Sequence, residues 1–135
     1  MRNAWQAAAR RGFTLIELLV VMAIIATLLS IAAPRYFDHV DRARENSLRQ
    51  SLAVMRDAID KYRADTGRYP ESLETLVERR YLRAMPKDPI TEDSRNWRLL
   101  PPPAGAAEGG EGGGVWDVRS GAPGTARDGT AYADW

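Results

Sequence analysis

The most pronounced feature of the hydrophobic pattern is a continuous apolar run near the start of the chain. Phe13–Ala33, FTLIELLVVMAIIATLLSIAA, has 21 residues and one charged residue, Glu17. A helix of that length is about 31 Å long, close to the ~30 Å hydrocarbon core of a bilayer. Because a chain of 135 residues is too small to bury a helix that is apolar on every side, the run predicts a membrane segment.

Beyond Ala33 the pattern changes from a fully apolar surface to one apolar face. Apolar residues recur there at alternating spacings of four and three, at Leu48, Leu52, Met55, Ile59 and Tyr62. This periodicity predicts that the helix continues from Phe13 to about Thr66, with Gly67 as its stop. The charged residues between positions 38 and 61 fall mostly off this face and are expected in solvent. Pro34 is expected to kink or loosen the helix, because it leaves the Ser30 carbonyl without its helical bond.

A short second helix is predicted after the turn that follows Gly67. Ser72 is its candidate N-cap, and its buried face is expected to carry Leu73, Leu76 and Val77 and to be completed by Tyr81 and Leu82. The two prolines of Pro86–Pro89 then predict a loop, since proline is excluded from helix interiors and central strands.

Two short strands are predicted near the C-terminal end. Asn96–Leu100 and Gly114–Val118 alternate well enough for a half-buried antiparallel pair. Between them, Pro101–Gly113 is rich in proline and glycine and predicts a mobile surface loop, without the motif of a phosphate-binding loop. Together the elements predict an α+β fold in which a long N-terminal helix packs on a small antiparallel sheet.

The residues before the apolar run bear on its orientation. Residues 1–12 contain three arginines and no acid, so the positive-inside rule places this end in the cytoplasm. A secretory signal peptide cut after Ala32 is an alternative, but the apolar run is longer than usual and contains an acid. A further alternative is a simple anchor for a periplasmic enzyme or binding module of some 100 residues.

The junction RRGFTLIE, residues 10–17, resembles the N-terminal signal of type IV pilins and pseudopilins. The resemblance implies a leader at 1–12, cleaved by a prepilin peptidase after Gly12, and an N-methylated Phe13 as the new N-terminus. It also implies a membrane and filament-core helix at 13–33 and a pilin-like periplasmic domain at 34–135. Phe13, Glu17 and Pro34 are then the expected assembly residues. Glu17 is expected to pair with the α-amine of Phe13 in a neighbouring copy; the alternative is that it lies near enough to the end of the segment to reach the lipid headgroups.

Residues 66–89, TGRYPESLETLVERRYLRAMPKDP, resemble the corresponding part of the major pseudopilin (G type) of type II secretion systems. This resemblance implies a homo-oligomeric filament that works with other pseudopilins and an assembly platform in the bacterial inner membrane to drive protein export. A type IV pilus and a DNA-uptake filament share the same N-terminus and stay open as alternatives.

The C-terminal tail resembles the calcium loop of many major pseudopilins only in part. Ser120, Gly121 and Ala122 fit its pattern, but Pro123 stands where the first acidic ligand is expected. Asp117, Asp128 and Asp134 are the candidate oxygen ligands for a calcium ion. A turn-rich loop without calcium is the expected structure, and no other cofactor is expected.

Charge and candidate chemistry narrow the function further. Without residues 1–12, 16 basic and 18 acidic residues remain, so no basic field predicts a nucleic-acid partner. The chain has no cysteine and a single histidine, His39, on the charged part of the long helix. No catalytic motif occurs, and the sequence therefore favours a structural subunit over an enzyme.

Overall fold

The computed structural model describes residues 11–105 and 113–135. Its elements are helix α1 (Leu15–Thr66), helix α2 (Leu73–Glu78), strand β1 (Trp97–Leu100), strand β2 (Asp117–Ser120) and a short 3-10 helix (Tyr132–Asp134). The architecture is α+β, as predicted. The chain divides into two compact units with the boundary between His39 and Val40.

Helix α1 begins at Leu15, two residues later than predicted. The reason is a cap at Thr14, whose Oγ1 accepts a hydrogen bond from the Glu17 N–H at 3.2 Å. The Thr14 carbonyl accepts the Leu18 N–H, also at 3.2 Å. A threonine in this role satisfies N–H groups that the first helical turn leaves without partners. Helix α1 includes Pro34, and the kink there stays a prediction.

The predicted apolar face of α1 forms the core of the second unit. All five residues of the face are buried, and they form one cluster with α2, the sheet and the segments beside them: Leu48, Leu52, Met55, Ala58, Ile59, Tyr62, Leu73, Leu76, Leu82, Trp97, Val115 and Val118. Gly67 ends the helix as predicted. Its φ of 72° lies in the left-handed region, and its N–H bonds to the Arg63 carbonyl at 2.8 Å.

Helix α2 has the predicted cap but ends before the last residues of the predicted apolar face. The Ser72 Oγ accepts the Thr75 N–H at 3.3 Å, and Leu73 and Leu76 are buried. The helix ends at Glu78, so Tyr81 and Leu82 do not extend its helical face as predicted, although both pack in the same core cluster. Arg80 has a φ of 64° and turns the chain, which still brings Leu82 into the core.

The two strands pair antiparallel, with Trp97 opposite Ser120 and Leu100 opposite Asp117. Strand β1 begins at Trp97, one residue later than predicted, and ends at Leu100 as predicted. Strand β2 begins at Asp117, three residues later than predicted, and ends at Ser120. The strand does not extend back to Gly114, because Gly114 has a φ of 136° and the Val115 N–H bonds to the Pro70 carbonyl at 2.8 Å. The Trp116 N–H still bonds to the Leu100 carbonyl at the end of β1. Of the predicted loop Pro101–Gly113, residues 106–112 lie outside the described part of the chain, and 101–105 form neither helix nor strand.

Leu52 tests whether the face of α1 holds this core together. Leu52→Ala should lower the free energy of unfolding by about 2–5 kcal/mol, because the lost side chain leaves a cavity. Denaturant unfolding of the full chain in detergent measures the effect. Val54→Ala on the same helix is the control, since Val54 is 41% exposed. Equal losses for the two variants would show that the face is not the core.

Candidate functional site

The apolar segment, Phe13–Ala33, is exposed along its whole length in the isolated chain. The large hydrophobic side chains in it keep between 45% and 86% of their surface accessible. Among the described residues, one helix is long and apolar enough to cross a membrane. A surface this apolar is unstable in water, so it needs lipid or other protein around it.

Polar side chains within the apolar segment find partners inside their own helix. The Thr27 hydroxyl donates to the Ala23 carbonyl at 2.8 Å, and the Ser30 hydroxyl donates to the Thr27 carbonyl at 2.7 Å. These bonds satisfy both hydroxyl donors without water, which suits the segment to apolar surroundings. Glu17 is then the one charged group in the segment.

Glu17 lies in the first turn of α1, where the helix dipole favours a negative charge. Its N–H is bonded to the Thr14 hydroxyl, and Thr14-Leu15-Ile16-Glu17 matches the capping pattern of Ser or Thr followed three residues later by Glu. The sequence contained this signal, but the expectation for Glu17 was based on insertion cost and on the family pattern alone. The position lowers the cost of the charge and fixes its place at one end of the apolar segment.

The predicted cleavage point lies before the first turn of α1. Phe13 is 86% exposed, and a Cβ added to Gly12 would have no atom within 4 Å. The fold of the described chain therefore does not require glycine at this position. His39 lies exposed on α1, as predicted.

The three candidate calcium ligands line one groove of the second unit. Asp117, Asp128 and Asp134 line it together with Arg49 and Arg56 of α1. The prediction that the charged residues of α1 are solvated is wrong for Arg56 and for Glu45, which are only partly accessible. Both hold the C-terminal tail.

Glu45 bonds to the tail at two points. Its Oε1 accepts the Arg127 N–H at 2.9 Å and the Tyr132 hydroxyl at 3.3 Å. Burial raises the pKa of Tyr132 above its usual value, and the carboxylate of Glu45 adds to the effect. The phenol therefore stays a hydrogen-bond donor throughout the neutral range.

Asp88 was missed in the sequence and is a fully buried carboxylate. Its Oδ1 accepts the Ile90 N–H at 2.8 Å, and its Oδ2 accepts the Ser120 hydroxyl at 2.6 Å. The Ser120 Oγ in turn accepts the Ala122 N–H at 3.0 Å. Asp88 therefore fastens the proline loop to the end of β2. The pair Asp88-Pro89 indicates a turn in the sequence. The sequence does not show that Asp88 bonds to Ser120, which is 32 residues away.

Two family models match the chain on either side of Pro34. The model described as the prokaryotic N-terminal methylation motif matches residues 8–33, and that of type II secretion system protein G matches residues 35–98. The first therefore covers the apolar segment, and the second covers the core face of α1 through to the start of β1.

Known proteins match over longer stretches. Type II secretion system core protein G of Klebsiella pneumoniae is 31% identical over 69% of this chain and 76% of its own length. The protein of that name from Vibrio cholerae is 28% identical over 80% of this chain and 92% of its own length. Fimbrial protein EcpC of Eikenella corrodens is 39% identical, but over 45% of this chain and 40% of its own length. No solved structure matches the chain significantly.

The exposed apolar segment, the core-forming second part of α1 and the small antiparallel sheet define a pilin-like protein. Within that class, the extent of the matches decides between the filament types considered above. The chain belongs to the type II secretion system core protein G family.

Proposed function

We propose that this chain is a structural subunit of a type II secretion pseudopilus, which polymerises through its N-terminal helix to drive protein export. The observation that carries the proposal is the apolar segment, which is exposed along its whole length in a chain of this family. Such a subunit binds copies of itself and other pseudopilins. It has no catalytic role in this proposal.

The proposed subunit begins as a single-pass protein of the bacterial inner membrane. Its N-terminus is cytoplasmic, its residues from 34 onward are periplasmic, and it delivers those residues to a periplasmic filament. A prepilin peptidase removes residues 1–12, and Phe13 becomes a methylated N-terminus. The arginines before Gly12 and the first family match, which spans 8–33, support this topology and processing.

Assembly exchanges lipid for protein around the apolar segment. Lipid tails are as apolar as leucine, so this exchange by itself gives little preference for one register of the subunits over another. A charge pair supplies the preference: Glu17 of one subunit meets the α-amine of Phe13 in the next, and an assembly platform in the membrane brings the two together.

The magnitudes support such a pair. An acid at the centre of a membrane helix costs about 2.5–3.5 kcal/mol to insert, and less near the end, where Glu17 lies. Opposite charges about 4 Å apart attract by about 4 kcal/mol at an effective dielectric constant near 20, against about 1 kcal/mol in water. The pair therefore offsets the insertion cost only when a neighbouring subunit supplies the amine.

Processing is the first test. Mass spectrometry of the protein from membranes should show a chain that starts at Phe13 and is heavier by one methyl group. Gly12→Trp should block cleavage and abolish filaments. The substitution tests the peptidase rather than the fold, because a side chain at position 12 meets no neighbouring atom.

Gly113→Ala is the matched control, since this glycine is equally free of neighbours. It should leave processing and filament yield unchanged. Normal assembly from an uncleaved Gly12→Trp subunit, or a natural start at Met1 or Ala33, would overturn the proposal.

Glu17 is the second test. Glu17→Val should leave membrane insertion intact and reduce filament yield at least tenfold, because the apolar side chain inserts at no cost but cannot pair with an amine. Glu17→Asp, one methylene shorter, should give an intermediate yield. Sheared filaments, quantified by immunoblot at matched membrane levels, provide the measurement.

Thr27→Val controls for a polar-to-apolar change in the same segment. The Thr27 hydroxyl bonds within its own helix, so this variant should assemble like the wild type. Equal yields from the wild type, Glu17→Asp and Glu17→Val would mean that the carboxylate only reaches the lipid headgroups.

A further inference from the structure

The groove between α1 and the C-terminal tail is lined by the three candidate calcium ligands, Asp117, Asp128 and Asp134. Guanidinium groups contact two of them, Asp117 and Asp128. The arginine clamp, as we call it, consists of Arg56 with Asp117 and Arg49 with Asp128. All four residues belong to the second unit.

The Arg56 half of the clamp is the more buried. Its Nε donates to the Asp117 Oδ1 at 2.8 Å, and its Nη2 donates to the Val118 carbonyl at 2.9 Å. The same Asp117 oxygen accepts the Val118 N–H at 2.8 Å. The two side chains keep 41% and 21% of their surface. One arginine thus holds both the side chain and the backbone at the start of β2.

The Arg49 half of the clamp contacts the end of the tail. Its Nη2 lies 3.3 Å from the Asp128 Oδ2, and its guanidinium lies 4.1 Å from the centre of the Trp135 ring. The other Asp128 oxygen accepts the Thr130 hydroxyl at 2.6 Å and the Thr130 N–H at 3.0 Å. These Thr130 bonds, and then Arg49, hold the pKa of Asp128 below its usual value.

These residues do not fit a calcium ion. Calcium takes six to eight oxygen ligands at 2.3–2.6 Å, mostly from carboxylates and carbonyls. Here one oxygen of Asp117 and one oxygen of Asp128 already accept a bond from an arginine, and a metal would bring a second positive charge next to each arginine. Across residues 11–105 and 113–135, no three acidic, histidine or cysteine side chains are grouped closely enough to hold a metal. Pro123 also replaces the first acid of the calcium pattern.

We infer that the arginine clamp takes the place of a calcium ion in this chain: it neutralises Asp117 and Asp128 and fastens the tail to α1. The second unit therefore folds, and stays folded, without calcium. The inference goes beyond the proposed filament and does not depend on it, because it concerns the unassembled subunit.

Calcium dependence gives the direct test. The full chain, purified in detergent, is heated in excess EGTA and, separately, in millimolar calcium chloride, and its unfolding is followed by tryptophan fluorescence. Trp135, which stacks on Arg49, adds a signal from the tail to that of the other three tryptophans. The Tm in EGTA and in calcium should agree within about 1 °C, since a ligand raises Tm only by binding the folded state.

Substitution of the clamp is the second arm. Arg56→Met keeps the apolar stem and removes the donors, and it should lower the Tm by about 5 °C. Arg49→Met should lower it less, because that pair is more than half exposed. Arg44→Met, at an exposed position of the same helix, is the control and should leave the Tm unchanged. The double variant Arg56→Asp, Asp117→Arg exchanges the two charges, and it should recover part of the Tm that Arg56→Met loses.

Two outcomes would overturn the inference. One is a wild-type Tm that rises by more than about 3 °C with calcium. The other is an Arg56→Met variant that melts like Arg44→Met. If Arg56→Met does not fold at all, the comparison of the wild-type Tm in EGTA and in calcium still tests the inference. Filament yield plays no part in these measurements, so a failure here is distinguishable from a failure of the proposed function.

Discussion

The exposed apolar segment, Phe13–Ala33, is the constraint on which the rest of the molecule depends. Its large hydrophobic side chains keep between 45% and 86% of their surface accessible in the single chain. Two environments can remove such a surface from water, a bilayer and a bundle of identical helices. In our proposal the subunit moves between these two environments, and Glu17 distinguishes them because its charge is offset only where another subunit supplies a positive one.

The second unit has about a hundred residues and two short strands, so its stability has to come from other contacts. The buried face of α1 supplies the apolar core, and polar contacts fasten the remaining segments to it. Asp88 ties the proline loop to Ser120, and Arg56 ties the start of β2 to α1. Buried or half-buried charges of this kind are costly unless their partners are present, so they specify one arrangement of the tail.

Local patterns in the sequence predicted what depends on neighbours along the chain. The core face of α1, the Gly67 stop and the Ser72 cap follow from spacings of three or four residues, and the structure confirms all three. The start of β2 was wrong because Val115 bonds to Pro70, 45 positions earlier, and not to β1. The arginine clamp was missed for a similar reason, since its pairs join residues 61 and 79 positions apart. The roles of Gly12, Phe13, Glu17 and Pro34 stay predictions, because they concern contacts between copies of the chain.

Helical reconstruction of the assembled filament by cryo-electron microscopy tests the central claim most directly. The account predicts that residues 13–33 are buried among neighbouring copies. It also predicts that the Glu17 carboxylate lies within about 4 Å of the Phe13 nitrogen of another subunit, the usual limit for an ion pair. A filament in which the apolar segment stays on the outside, or in which Glu17 faces no amine, would contradict it.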